Sequence, residues 1–384
     1  MRGMDKIREQ DVFVVADNVL SPLGRTTAEN FDQLKRSMTS VQQHHAPAIS
    51  IQPFYASLFD KNEVFVENDA DRYTKFEQLL IASIEDALKD TGLDVRDGKT
   101  VLIISSTKGN ISLLETEKNN GDLQKRISLS TSAKLVTEYF GFSNQPIIIS
   151  NACVSGVMAI ITGMRLLRTG QYENAVIAGA DVISKFIMSG FESFQALSPQ
   201  VCRPFDKSRD GLNLGEGAGT IILSTQKKYE HNPKVLGGAV SNDANHISGP
   251  SRTGEELSYS IDQALQDADI SKSEIDFISA HGTATVYNDE MEANAVALSG
   301  LQSVPLNSLK GYYGHTLGAA GLIESIISLQ SLKDGLVLPT PGFTEIGVTR
   351  PVNVIAMPLN IKTGHFLKTA SGFGGCNAAV VFGK

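Results

Sequence analysis

The sequence predicts an α/β protein made of two similar βα-layered halves, and three observations predict it. A strand-turn-helix pattern occurs twice, a Gly-rich turn running into an apolar strand follows each copy, and the composition is that of a globular core. At 384 residues the chain exceeds a usual single domain of roughly 100 to 200 residues, which leaves two domains or one large duplicated core. Hydrophobic residues make up 41%, charged residues 20%, and there are 34 glycines, a balance that suits packed layers joined by tight turns rather than a disordered chain.

In the first copy, the apolar run from Ile147 to Ser150 predicts a buried strand leading into Cys153, then Gly156 and an apolar helical stretch to Leu167, closed by Thr169-Gly170. In the second, Leu306 to Lys310 leads into His315. Gly318 follows His315 as Gly156 follows Cys153, and a helical run from Leu322 to Leu332 ends near Gly335. Each copy closes on a Gly-rich turn entering a strand, Leu214 to Leu223 in the first and Phe373 to Phe382 in the second. Two matching pairs in the same order point to duplication. The boundary is expected in the polar stretch Lys227 to Pro233, giving halves 1–232, which holds Cys153, and 233–384, which holds the histidines below.

Composition also excludes functions. A net charge of -8 removes the usual electrostatic case for nucleic-acid binding. Met1 to Gln10 is charged and lacks the apolar stretch of a secretory signal, and no apolar run of roughly 18 residues follows, so a cytoplasmic protein without a membrane span is expected. Cys153, Cys202 and Cys376 are expected to be free thiols, with no CxxC or CxxH pair to suggest zinc. No metal site is expected. HExxH is absent, and Asp289, Glu290 and Glu292 read as charges at a helix start. Gly215 to Gly219 and Gly372 to Gly375 run into strands, whereas a dinucleotide loop opens a helix, and no GxxxxGK[ST] loop occurs.

Cys153 sits where a strand ends and a helix begins, flanked by Ala152, Ser155 and Gly156. Backbone N–H groups and the helix dipole at such a place favour a thiolate, so a lowered thiol pKa is expected. The competing reading is a buried inert cysteine. Two histidines weigh against it: His281 follows the strand-like Ile275 to Ala280, and His315 lies within Lys310 to Gly321. Both occupy turns after strands, where α/β folds gather ligand groups.

These residues resemble the elongating, Cys-His-His type of β-ketoacyl-(acyl carrier protein) synthase, which has the thiolase fold. The resemblance is carried by Asn151 to Gly156, Arg203 to Gly211 with Gly215 to Gly219, His281 to Thr285, Lys310 to Gly321, and Gly372 to Gly375. It implies a five-layered αβαβα core and makes Cys153 the nucleophile that takes an acyl group from the phosphopantetheine thioester of acyl carrier protein. The backbone N–H groups of Cys153 and Phe373 would form an oxyanion hole. His281 and His315 would bond the thioester oxygen of malonyl carrier protein as carbon dioxide leaves. Lys310 would support the site through an ion pair with Glu324, Thr283 and Thr285 would bond the pantetheine, Phe191 would line the acyl pocket, and Phe373 would act as its gate. No cofactor is implied beyond the phosphopantetheine carried by the substrates. The resemblance further implies a homodimer, or a heterodimer with a related synthase subunit.

The chain departs from the family pattern at several places. The turn near position 107 reads Ser105 to Ile111, Ser371 stands where an aromatic is usual, and Val286 replaces a proline. The segment Glu67 to Arg72 is acidic where relatives tend to be basic for carrier-protein docking, which leaves Lys125 and Arg126 as docking candidates. Together these suggest a specialised polyene or polyketide-like lipid pathway beside ordinary fatty acid synthesis. Two rivals are a non-catalytic chain-length partner subunit, which commonly loses the nucleophile, and a thiolase-like acyltransferase, whose second partner is usually Asn or Cys.

Overall fold

The computed structural model describes residues 10–384 apart from 62, 67–71, 119 and 245–248, so the acidic stretch Glu67, Asp69 and Asp71 lies outside the described residues. Ten strands among the described residues join in one sheet system. The first half supplies β1 (Phe13–Leu20), β2 (Thr100–Ser105), β3 (Ile147–Ile149), β4 (Asn174–Asp181) and β5 (Gly217–Ser224). The second supplies β6 (Lys234–Asn242), β7 (Phe277–Ser279), β8 (Leu306–Asn307), β9 (His365–Gly372) and β10 (Cys376–Gly383).

Their order is β8-β7-β9-β10-β6-β1-β5-β4-β2-β3, joined at the centre by the pairing of Phe13 with Lys234. Outward from that junction, each half runs first, fifth, fourth, second, third strand. In both halves the first two neighbour pairs are antiparallel and the outer two parallel. Shared order and shared strand direction are what duplication of one βα unit produces.

Helices α1 (Lys75–Leu88), α2 (Leu129–Phe140), α3 (Ser155–Arg168), α4 (Lys185–Ser193), α5 (Glu255–Ala268), α6 (Val286–Leu298) and α7 (Ala320–Asp334) complete the layers. α3 and α7 lie between the two half-sheets, α1 and α2 cover the outer face of the first, and α5 and α6 cover that of the second. The result is the five-layered αβαβα thiolase fold. Strands buried on both faces need apolar residues at every position rather than at alternate ones. β2 shows the division: Val101 and Ile103 join the central cluster with α3 and α7, while Leu102 and Ile104 join the outer cluster with α1.

Glycines bring the two central helices together. A Cβ on Gly156 would come 2.7 Å from the Leu322 nitrogen, and one on Gly321 would come 2.7 Å from the Val157 nitrogen. The starts of α3 and α7 therefore meet backbone to backbone, which draws Cys153 and His315, each just ahead of its helix, into one region. One expectation is corrected here. Ile147–Ile149 is an edge strand, half-buried rather than buried, because β3 ends the sheet with no further strand beside it among the described residues.

Candidate active site

Cys153 rides on a turn between β3 and α3, with Ala152 in the left-handed region at a φ of 44°. Such backbone costs energy and persists where the surroundings over-determine it. Here the β9–β10 hairpin presses on the turn: a Cβ on Gly372 would come 3.0 Å from the Cys153 nitrogen. Gly374 and Gly375, with φ of 88° and 76°, turn the hairpin tip so that the Phe373 N–H donates to the Cys153 sulfur.

The thiol itself differs from the expectation drawn from the helix start. Burial pushes Cys153 up to about 12, against the opposing pull of Lys310 and the Phe373 N–H, so the resting group is a neutral thiol. A sequence shows that a helix begins near a cysteine; it does not show how far the sulfur is withdrawn from water.

His281 follows β7 on a loop tied down by two buried carboxylates. The N–H groups of His281 and Gly282 donate to Glu292 at 2.8 and 2.7 Å, and those of Thr283 and Ala284 donate to Asp289 at 2.9 and 3.2 Å. Asp289 and Glu292 were expected as helix-start charges. Asp289 does lie in the first turn of α6, yet both side chains are buried and serve as anchors of the His281 loop. Burial raises Asp289 to about 6. His315 is fixed from the first half, donating its N–H to the Asn213 carbonyl at 2.6 Å. Asp181 accepts from the Gly318 N–H at 2.7 Å and from the Ser106 hydroxyl at 2.7 Å, pinning the loop after His315 to the end of β2.

The imidazoles of His281 and His315 stand 5.3 Å apart between centroids at 82°. Behind them Lys310 pairs with Glu324 at 2.6 Å and reaches to 3.4 Å from Nδ1 of His281. Burial and the neighbouring Lys310 ammonium hold both imidazoles well below the usual histidine range, so both are neutral. Against its own burial, Lys310 and Lys368 hold the Glu324 carboxyl below its ordinary range. Lys368 went unpredicted. It pairs with the other Glu324 oxygen at 2.7 Å from the core face of β9, which it shares by period-two alternation with Phe366 and Ala370.

Cys153, His281, His315, Thr283, Thr285 and Phe373 line one cavity of about 410 Å³. A second cavity of about 680 Å³, mostly apolar, shares Cys153, Phe191 and Phe373 with it. Phe373 divides the two, with its ring 5.7 Å from that of Phe191 and 5.2 Å from that of Phe194. Thr283 and Thr285 hydroxyls lie 2.8 Å apart at the wall of the first. All the expected site residues therefore gather around Cys153 or directly behind the histidines.

The docking candidates do not stay together. Lys125 is exposed, but Arg126 is locked by both guanidinium nitrogens to the buried Glu77 carboxylate. Arg126→Met is therefore expected to lower stability by about 1–3 kcal/mol, read from the urea midpoint, because it strands a buried carboxylate. Retained loss of carrier-protein binding at unchanged stability would contradict this assignment.

A five-layered fold with a cysteine and two neutral histidines converging on one cavity defines a thiolase-fold condensing enzyme. The beta-ketoacyl synthase N-terminal domain profile matches residues 9–229 and the C-terminal domain profile residues 234–344. The 3-oxoacyl-[acyl-carrier-protein] synthase 2 of Vibrio harveyi is 30% identical over 410 residues, covering 97% of this chain and 98% of the relative. The protein of the same name from Vibrio cholerae serotype O1 is 30% identical over 411 residues with the same coverage. Among solved structures, the ishigamide ketosynthase/chain length factor superposes with a TM-score of 0.88 at 25% identity, covering 98% of this chain and 99% of that one. A ketosynthase from Xenorhabdus doucetiae, solved with its chain length factor, gives 0.87 at 24% identity with both chains fully covered, a likeness of fold. The chain belongs to the β-ketoacyl synthase family and is an acyltransferase of the condensing type.

Proposed function

We propose that this enzyme elongates an acyl chain held on acyl carrier protein, with Cys153 as the acyl carrier and His281 and His315 as the groups that drive decarboxylation. The observation that carries this reading is convergence. Cys153, both neutral imidazoles and the Phe373 N–H meet at one cavity that a thioester can enter, with a second apolar cavity open beyond.

The reaction divides in two. The Cys153 sulfur attacks the acyl thioester carbonyl; the oxyanion is met by the Cys153 and Phe373 N–H groups, the carbon–sulfur bond to phosphopantetheine breaks, and the proton given up by Cys153 ends on the departing sulfur, releasing the carrier thiol. Malonyl carrier protein then enters past Thr283 and Thr285. Its carbon–carbon bond to the carboxylate breaks to release carbon dioxide. The electron pair left behind becomes an enolate whose oxygen accepts hydrogen bonds from His281 and His315. The enolate carbon attacks the acyl-Cys153 carbonyl, the bond to sulfur breaks, and the freed thiolate takes a proton. The product is a β-ketoacyl thioester two carbons longer. Neutral imidazoles suit this work, since each can donate one N–H without carrying a buried charge of its own.

The acyl chain is assigned to the second cavity, reached past Phe191 and the gate Phe373. That cavity opens at the exposed Phe186, and the apolar edge strand β3 is half-exposed. An unpaired apolar edge and an open apolar cavity both ask for a cover. We therefore place the enzyme in a homodimer or in a heterodimer with a related subunit, the second being the arrangement named for the Xenorhabdus structure. Retention of Cys153 with both histidines weighs against a purely non-catalytic partner role. No helix among the described residues is long and apolar enough to cross a membrane, which supports a cytoplasmic site of action. The altered turn at Ser105 to Ile111, which brings Lys108 to the wall of the second cavity, supports a specialised substrate in polyene or polyketide-like lipid synthesis.

Intact mass after incubation with acyl carrier protein thioesters of several lengths tests the reading. A mass gain equal to one acyl group, followed by its conversion to a longer β-keto thioester on adding malonyl carrier protein, is expected. No loading from any thioester would sink it.

A further inference from the structure

A second buried lysine stands behind the histidines, and the reaction as derived does not use it. Lys368, from β9, has no solvent exposure. Its ammonium pairs with Glu324 at 2.7 Å and donates to the carbonyls of Ser279 and Ala280, each at 3.1 Å. Those carbonyls close β7 directly before His281. Lys310 holds the opposite oxygen of the same Glu324 at 2.6 Å and approaches Nδ1 of His281 at 3.4 Å. Two cations thus share one carboxylate, leaving the cluster with one net positive charge.

We propose that Lys368 is a positioning residue of the condensing site: it grips the strand end that carries His281, shares Glu324 with Lys310, and sets a second buried positive charge against the two imidazoles. The grip matters because a donor must sit within a fraction of an ångström of the developing enolate oxygen to stabilise it. Sharing matters because Glu324 cannot draw the Lys310 ammonium wholly to itself while its second oxygen is engaged, which leaves Lys310 in reach of His281. The charge matters because a neutral Nδ1 of His281 can face Lys310, whereas a protonated one would meet it as like charge. The charged or titratable groups around the pair are Lys310, Glu324 from α7, Lys368 from β9, Glu292 from α6 and Cys153 across the cavity. Burial and the lysines act in the same direction on both rings, Lys368 included.

This inference deepens the condensing reading and rests on it for the catalytic readout, but one measurement stands apart from activity. With only 7 histidines in the chain, the rings of His281 and His315 can be followed by NMR in histidine-labelled protein. Lys368→Gln keeps a donor for the carbonyls and removes the charge. The expected result is that both rings titrate at higher pH than in the wild type. The acid limb of malonyl carrier protein decarboxylation should move up with them. Lys368→Met, which removes the grip as well, should in addition slow decarboxylation by about tenfold to a hundredfold while acyl loading of Cys153 continues. Lys368→Met also serves for the titration if the Gln variant does not fold. Unmoved histidine titration in the folded variant, or decarboxylation unchanged in rate and pH profile, overturns the proposal. Failure of the wild type to load any thioester would instead overturn the condensing function and leave the titration to judge Lys368.

Discussion

Cys153→Ala is expected to stay unacylated by every carrier-protein thioester and to lose condensation by at least about 10⁴-fold. The side chain is buried where the two cavities meet, and its sulfur receives the Phe373 N–H. Cys202 and Cys376 are buried too, and neither lines either cavity. The substitution removes one sulfur from a site bounded by backbone, so the fold should persist. Decarboxylation should survive in this variant, because His281 and His315, the donors proposed for the enolate oxygen, are fixed by Glu292 and Asn213 rather than by Cys153. Release of carbon dioxide from malonyl carrier protein without product, measured beside intact mass, is therefore the expected signature. A longer β-keto product made by Cys153→Ala would refute a covalent acyl enzyme.

The meeting of Cys153 with His315 was legible in the sequence because each half of the duplication carries its own turn. The segments around Cys153 and His315 share the order strand, turn, helix and a glycine three residues on, and Gly156 and Gly321 bring the starts of α3 and α7 into contact. What could not be read were the buried charges. Lysine and the acidic residues are rarely withdrawn from water unless paired, and pairing is a tertiary fact. Nothing local marks Lys368, and Asp289 and Glu292 read as helix-start charges, although all three hold the backbone around His281. Arg126, read as a docking candidate, is claimed instead by Glu77, buried in α1. The raised Cys153 thiol has the same cause, since burial leaves no local signature.

Removing the shared carboxylate gives the largest expected loss of stability. Glu324→Leu would leave the Lys310 and Lys368 ammoniums buried, close together and without a counter-charge, where both now bond to its two oxygens at 2.6 and 2.7 Å. Stranding buried charges costs about 3–5 kcal/mol, well beyond the loss of a surface pair. The expected result is a marked fall in the urea midpoint together with loss of decarboxylation, since Lys310 and the strand end before His281 lose their common tie. Lys310→Met or Lys368→Met alone should cost less, because Glu324 then keeps one partner. A triple variant with Glu324→Leu, Lys310→Met and Lys368→Met should recover stability, as apolar groups can replace a buried ionic cluster of similar volume. It should not recover decarboxylation, because Lys310 would no longer reach His281 Nδ1 and burial alone would be left to oppose protonation of the rings. A Glu324→Leu protein as stable as the wild type would show that the two lysines find other partners, and the electrostatic account of this site would fail with it.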